Sequence, residues 1–195
     1  MEPKYIEDSE IITPSNEIQV VYKCTSNRCG KLFIASYVYS VSRVGSESYV
    51  FVSSEPKTEE PVNFSETITQ VSPSFVQIYN QAATAESLGL TEICGAGYRK
   101  SLEFLVKDYL IHKNPDQESS IKSQFLGSCI RSIEDYNIKF CADRASWLGN
   151  DETHYVRKWE NSDLSDLKTL INLVSNWVEN ALMMEKYEAE MAQGR

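Results

Sequence analysis

At Pro73 the period of the sequence changes. Before it, apolar side chains come in short β-branched and aromatic runs; after it they recur every three or four residues as far as Leu182. A two-residue period lines one face of a strand and a 3.6-residue period one stripe of a helix. The switch therefore predicts a small β part followed by a larger α part.

In the β part, Ile18 to Lys23, Leu32 to Val41 and Tyr49 to Ser53 have strand composition, and the glycine-bearing gap Ser42-Arg43-Val44-Gly45-Ser46 suits a hairpin. These runs predict a three-stranded antiparallel meander after an acidic, mobile start. Glu55 to Pro73, with its prolines and glutamates, reads as a connector. In the α part, Ser74 is placed as an N-cap for a helix ending near Gly89, and a second helix is expected from Thr91 to about Lys113, before Asn114-Pro115. A third is expected over Ser120 to Ile130 with Ile121, Phe125 and Leu126 inward. The fourth, Ile133 to about Leu148, carries Ile138, Phe140, Cys141 and Trp147 and is stopped by Gly149-Asn150. The last starts at Ser162 or Asp163 and holds Leu164, Leu167, Leu170, Ile171, Val174, Trp177, Val178, Ala181 and Leu182 on one face, with a polar continuation from Glu185 to Arg195. The expected fold is α+β, mainly α: residues 1–70 a β-meander with a linker, residues 71–195 an antiparallel bundle of four to five helices.

Charge narrows the function. With 19 Lys and Arg against 28 Asp and Glu, the net charge is −9, which argues against general coating of DNA, since phosphate binding needs a positive surface. Only residues 98–158, with ten basic and nine acidic side chains, escape the excess of acid. No apolar run reaches the roughly 20 residues that span a bilayer, and Met1 to Glu10 lacks the basic and apolar regions of a secretory signal. A cytoplasmic protein without membrane contact is expected.

Five cysteines in such a chain read as thiols or ligands rather than as a disulfide framework. Cys24 and Cys29, followed by Gly30-Lys31, form a C-x4-C pair that supplies half of a four-ligand zinc site. The remaining cysteines and histidines are scattered, so no metal or other cofactor is expected and the pair is assigned as two buried thiols in a hairpin. Arg99 and Glu103, four apart on the second helix, can meet as a surface pair or as a partly buried pair that fixes how this helix meets the Gly149 loop. Arg144 to His154 places Gly149, Asn150, Asp151 and Glu152 just before a histidine, a side chain suited to acid–base work or to a structural hydrogen bond. His112 suits the negative end of its helix. Gly95-Ala96-Gly97 lacks the lysine and spacing of a phosphate loop and reads as close helix packing. Trp147, Trp159 and Trp177 fit core or interface anchors.

Three segments taken together, Pro73 to Ala82, Ala96-Gly97-Tyr98-Arg99-Lys100-Ser101-Leu102-Glu103, and Leu148-Gly149-Asn150 followed by His154, resemble the bacterial and phage domain of unknown function numbered 4145. The similarity covers about residues 70–182, and the cysteine-bearing β segment is similar to the degenerate zinc-ribbon-like region that often precedes this domain. The resemblance implies a HEPN-like helical bundle, a homodimer, and a setting in phage, mobile-element or anti-phage defence systems. Active HEPN ribonucleases look like metal-independent enzymes whose Arg and His, four to six residues apart, meet their counterparts across a dimer. Here nine residues separate Arg144 from His154, and Arg157 follows the histidine.

The leading expectation is a non-secreted accessory protein that binds a protein or nucleic-acid partner. The alternative is a metal-independent endoribonuclease with His154 as general acid or base and Arg144, Arg157 or Arg99 steadying the phosphate. A small-molecule or nucleotide sensor with a pocket beside Gly149 is the third reading.

Overall fold

The computed structural model describes residues 2–27, 29–41, 47–56, 61–152, 154–156, 158–159 and 163–192. The chain divides into two compact units, residues 1–58 and 59–195.

The first unit is an antiparallel sheet of β1 (Lys4–Tyr5), β2 (Ile11–Ile12), β3 (Glu17–Lys23), β4 (Leu32–Val41) and β5 (Glu47–Glu55). Its order is β1-β3-β4-β5, with β2 on the same edge of β3 as β1. Strands β3, β4 and β5 are the expected meander, and the turn at Ser42 to Ser46 lies outside the described residues. The acidic start is not loose. Asp8 and Asn16, at φ 57 and 62, turn the chain so that Lys4–Tyr5 and Ile11–Ile12 both pair with β3, giving five strands instead of three. Among the described residues of this sheet only Val20, Ala35 and Ser36 are buried.

The second unit holds α1 (Glu66–Val71), α2 (Pro73–Ser87), α3 (Thr91–Lys113), a 3-10 turn at Pro115–Gln117, α4 (Glu118–Ser123), α5 (Leu126–Ser132), α6 (Tyr136–Asp151) and α7 (Leu164–Met191). Helix α3 is its axis. Tyr98, Leu102, Leu105 and Val106 are fully buried, and α2, α5, α6 and α7 all pack on α3. Small residues set the closest approaches: a Cβ on Gly97 would lie 2.9 Å from Ala82 Cβ of α2, and one on Gly95 would lie 2.5 Å from Glu152 Cβ. Gly95-Ala96-Gly97 is thus a packing segment, as its spacing suggested.

Several details depart from the sequence reading. The supposed connector contains α1, capped by the Ser65 hydroxyl, which accepts from the Ile68 N–H at 3.3 Å, and Ile68 is buried in the core. Ser74 is not an N-cap. Helix α2 starts at Pro73, and Ser72 before it bonds through its hydroxyl to Asp108 rather than capping the helix. The third expected helix is broken at Gln124 and Phe125 into α4 and α5, and Phe125 is 86% exposed instead of inward. The fourth begins at Tyr136, where the Asp135 carboxylate caps the N–H groups of Asn137 and Ile138, and it runs past Gly149-Asn150 to Asp151. Phe140 and Trp147 lie on its exposed side. The last helix starts with the capping box of Asp163 and Asp166 and continues through the polar segment to Met191.

Candidate functional site: the outer face of α6 and its loop

The site begins where α3 crosses α6. Gly149 has no room for a side chain, since a Cβ there would lie 2.7 Å from Arg99 Cβ. That approach carries Arg99 to the end of α6, where its Nε donates to Asn150 Oδ1 at 2.6 Å. The pairing of Arg99 with Glu103 is not formed; Glu103 pairs instead with Lys107 at 2.7 Å. An i,i+4 neighbour competes weakly for a guanidinium that packing has already delivered to another helix. Arg99 thus meets the Gly149 end of α6 through Asn150 and not through a pair with Glu103.

The next residue, Asp151, organises the loop. It is 6% exposed, and its Oδ2 accepts from the backbone N–H groups of Lys158 at 2.7 Å and Trp159 at 2.6 Å. Two charge-assisted bonds to one oxygen hold the returning chain against the end of α6. They bring Trp159 onto Trp147, with ring centroids 5.6 Å apart and planes 12° from parallel.

From there a continuous run follows α6 backwards. The Arg144 guanidinium lies 3.9 Å over the Trp147 ring and 4.9 Å over Phe140, and Phe140 stacks on Tyr136 at 6.0 Å. The positions 136, 140, 144 and 147 recur at helical spacing, so α6 is apolar on two sides: one stripe enters the core, and the other faces out. This second stripe is legible in the sequence, but periodicity by itself assigned Phe140 and Trp147 to the core. Beside the stripe, Phe140, Arg144, Trp147, Leu148, Trp159, Asp166, Thr169 and Leu170 line a groove of about 370 Å³ between α6 and α7. One carboxylate, Asp166, is in its lining, and Asp143 stands beside it, paired with Arg144 at 2.9 Å.

Among the described residues, His154 and Arg144, named for the alternative ribonuclease reading, do not meet within the chain. His154 is exposed in the loop, its backbone N–H donates to Asp151 O at 3.3 Å, and among the described residues its side chain has no hydrogen bond or ion pair, with Arg144 or any other group. Arg144 is engaged by two rings and a carboxylate. Arg157 lies outside the described residues.

A second polar cluster locks α2, α3 and α7 together. The Tyr98 hydroxyl donates to Glu86 Oε2 at 2.7 Å, and Lys168 Nζ donates to both Glu86 oxygens at 2.9 and 3.0 Å. Burial pushes the Glu86 carboxyl up, but the bonds from Tyr98 and Lys168 outweigh it and hold the group below its usual range. Burial and Glu86 together push the Tyr98 phenol up. This cluster was not foreseen, because its members are far apart in sequence and individually ordinary.

Among the described residues no group of three or more His, Cys, Asp or Glu side chains is placed to hold a metal ion. No helix among them is long and apolar enough to cross a membrane. Comparison with family models, with curated proteins and with solved structures returned no match.

Proposed function

We propose that the chain is an interaction protein whose helical unit binds a partner polypeptide on the aromatic–arginine face of α6. The observation that carries this reading is the exposed run Tyr136, Phe140, Arg144, Trp147 and Trp159 beside a groove bordered by carboxylates. Partly exposed aromatic and arginine side chains clustered around a concavity are the usual composition of binding hot spots. The groove takes an apolar anchor side chain. Asp166 in its lining and Asp143 beside it, in a chain of net charge −9, select a basic residue next to that anchor and disfavour a phosphate backbone. The setting implied by the resemblance, an accessory role in a phage, mobile-element or anti-phage defence system as a HEPN-like homodimer, belongs to the same proposal.

The test has two arms. A random peptide library is panned on the wild-type chain and counter-selected on Trp147→Ala. Enriched peptides with an apolar residue flanked by Lys or Arg, which lose binding on Trp147→Ala and weaken on Asp143→Asn, support the proposal; peptides that bind both proteins equally refute it. In parallel, RNA is incubated with the protein in EDTA. Cleavage that vanishes in His154→Ala overturns the binding reading in favour of the endoribonuclease.

A further inference from the structure

The connection between β3 and β4 brings two thiols together. The Cys24 N–H donates to Lys31 O at 2.9 Å, and the N–H groups of Cys29 and Gly30 both donate to Ser26 O, at 3.0 and 3.2 Å. With Gly30 at φ 59, a left-handed conformation that glycine adopts without strain, the loop folds back on itself. This places Cys24 and Cys29 in one tight loop, where Cys29 interacts with the Cys24 side chain and with the Lys31 backbone. The pair is not buried as the sequence suggested: Cys24 is half-buried and Cys29 exposed, whereas Cys94, Cys129 and Cys141 are buried.

The surroundings of the pair are basic. Lys4 of β1 and Lys23 of β3 sit directly opposite each other, an arrangement of like charges that is destabilising unless an anion lies between or beside them. Both line a hollow of about 360 Å³ together with Cys24, Thr25, Ser26 and Gly30. Lys31 is near enough to act electrostatically on Cys29.

We propose that Cys24 and Cys29 form a redox-active dithiol that exchanges with small disulfides carrying carboxylates, of the glutathione type. Lys4, Lys23 and Lys31 receive the carboxylates, and Cys29 is the attacking thiol. Its thiolate attacks one sulfur of the small disulfide; the S–S bond breaks, and the first small thiolate leaves and takes up a proton. Cys24 sulfur then attacks Cys29 Sγ in the mixed disulfide, and the second small thiol departs with the proton from Cys24. Two electrons pass from the dithiol to the small disulfide, leaving a Cys24–Cys29 bond across the hairpin. The relative chemistry of Cys29 and the three buried thiols agrees. The Lys31 N–H and the Cys24 thiol hold the Cys29 thiol below its usual range, while burial pushes those of Cys94, Cys129 and Cys141 up.

The experiment is oxidation of the full reduced chain by oxidised glutathione in the absence of metal, with alkylation and mass analysis at intervals. The expected result is loss of two alkylatable thiols, mapped to Cys24 and Cys29 within one chain and restored by dithiothreitol. Cys24→Ser is expected to stop at a single glutathione adduct on Cys29. The Lys4→Gln/Lys23→Gln variant should react roughly two- to tenfold more slowly with oxidised glutathione and at the wild-type rate with neutral hydroxyethyl disulfide. A stable glutathione adduct on the wild-type chain, oxidation of the buried cysteines at the same rate, or equal slowing with both disulfides would overturn the proposal.

Discussion

Replacing Gly149 by alanine tests whether the α3–α6 crossing is set by the missing side chain. The new Cβ would lie 2.7 Å from Arg99 Cβ, 2.9 Å from its Cγ and 3.4 Å from its Cα, where ordinary contact begins at 3.4 Å. Two of these three atoms are the Cα and Cβ of α3 itself. No rotamer change removes them, and trimming Arg99 to alanine would leave both in place. The helices must separate by about 0.7 Å, the difference between 3.4 and 2.7 Å, or strain locally. Overpacking of this kind costs about 1–3 kcal/mol. Alanine recovers about 1 kcal/mol of helix propensity, so the expected net loss is about 0–2 kcal/mol, or a Tm lower by up to roughly 8 °C for a protein of this size. Gly127 is the control. A Cβ there meets nothing closer than the far end of Arg131, at 3.7 Å, and Gly127→Ala is expected to raise stability by about 0.5–1 kcal/mol. Thermal and urea unfolding followed by circular dichroism measure both. A Gly149→Ala protein that gains as much stability as Gly127→Ala would refute the steric argument.

Asp151→Ala removes the oxygen that accepts from Lys158 and Trp159 and should cost the loop about 2–4 kcal/mol. Loss of the Trp147–Trp159 signal in near-ultraviolet circular dichroism and new proteolysis between residues 152 and 163 would report it, with Asp151→Asn largely spared because an amide oxygen still accepts. Glu86 titrates below its ordinary value of 4.5, so its contribution to stability is fully present above pH 4.5 and is lost as the pH falls through its lower folded value. Glu86→Gln should therefore lower Tm at pH 7 and flatten the decline below pH 4.5; an unchanged acid limb would show that Glu86 is not stabilised by the fold. Asp108, pushed above its ordinary 3.8 by burial, acts with the opposite sign. It favours the fold most below pH 3.8 and loses that contribution as the pH rises through its folded value, so Asp108→Asn should stabilise the protein at pH 7.

Elements with a strong period were legible from residue order. Strand β4 spans Leu32–Val41 and α3 spans Thr91–Lys113, as the patterns indicate, because alternating and 3.6-residue spacings each satisfy only one backbone geometry. Short elements were not. Helix α1 has six residues, and β1 and β2 two each, too few for a period to declare itself, and they exist because the core and the edge of β3 offer them partners. The break at Gln124–Phe125 has the same character, since α4 and α5 read as one amphipathic run until packing splits them.

The candidate site divides along the same line. Residue order dictates that Tyr136, Phe140, Arg144 and Trp147 share a side of one helix, because neighbours three and four apart always do. Tertiary structure decides that this side faces outward, that Trp159 folds back onto it, and that Arg99 reaches Asn150, 51 residues away, rather than Glu103. Spacing along a helix makes the Glu103 contact available in any environment. The Asn150 contact exists only once Gly149 has let α3 and α6 approach, and a bond created by that approach has no trace in local sequence.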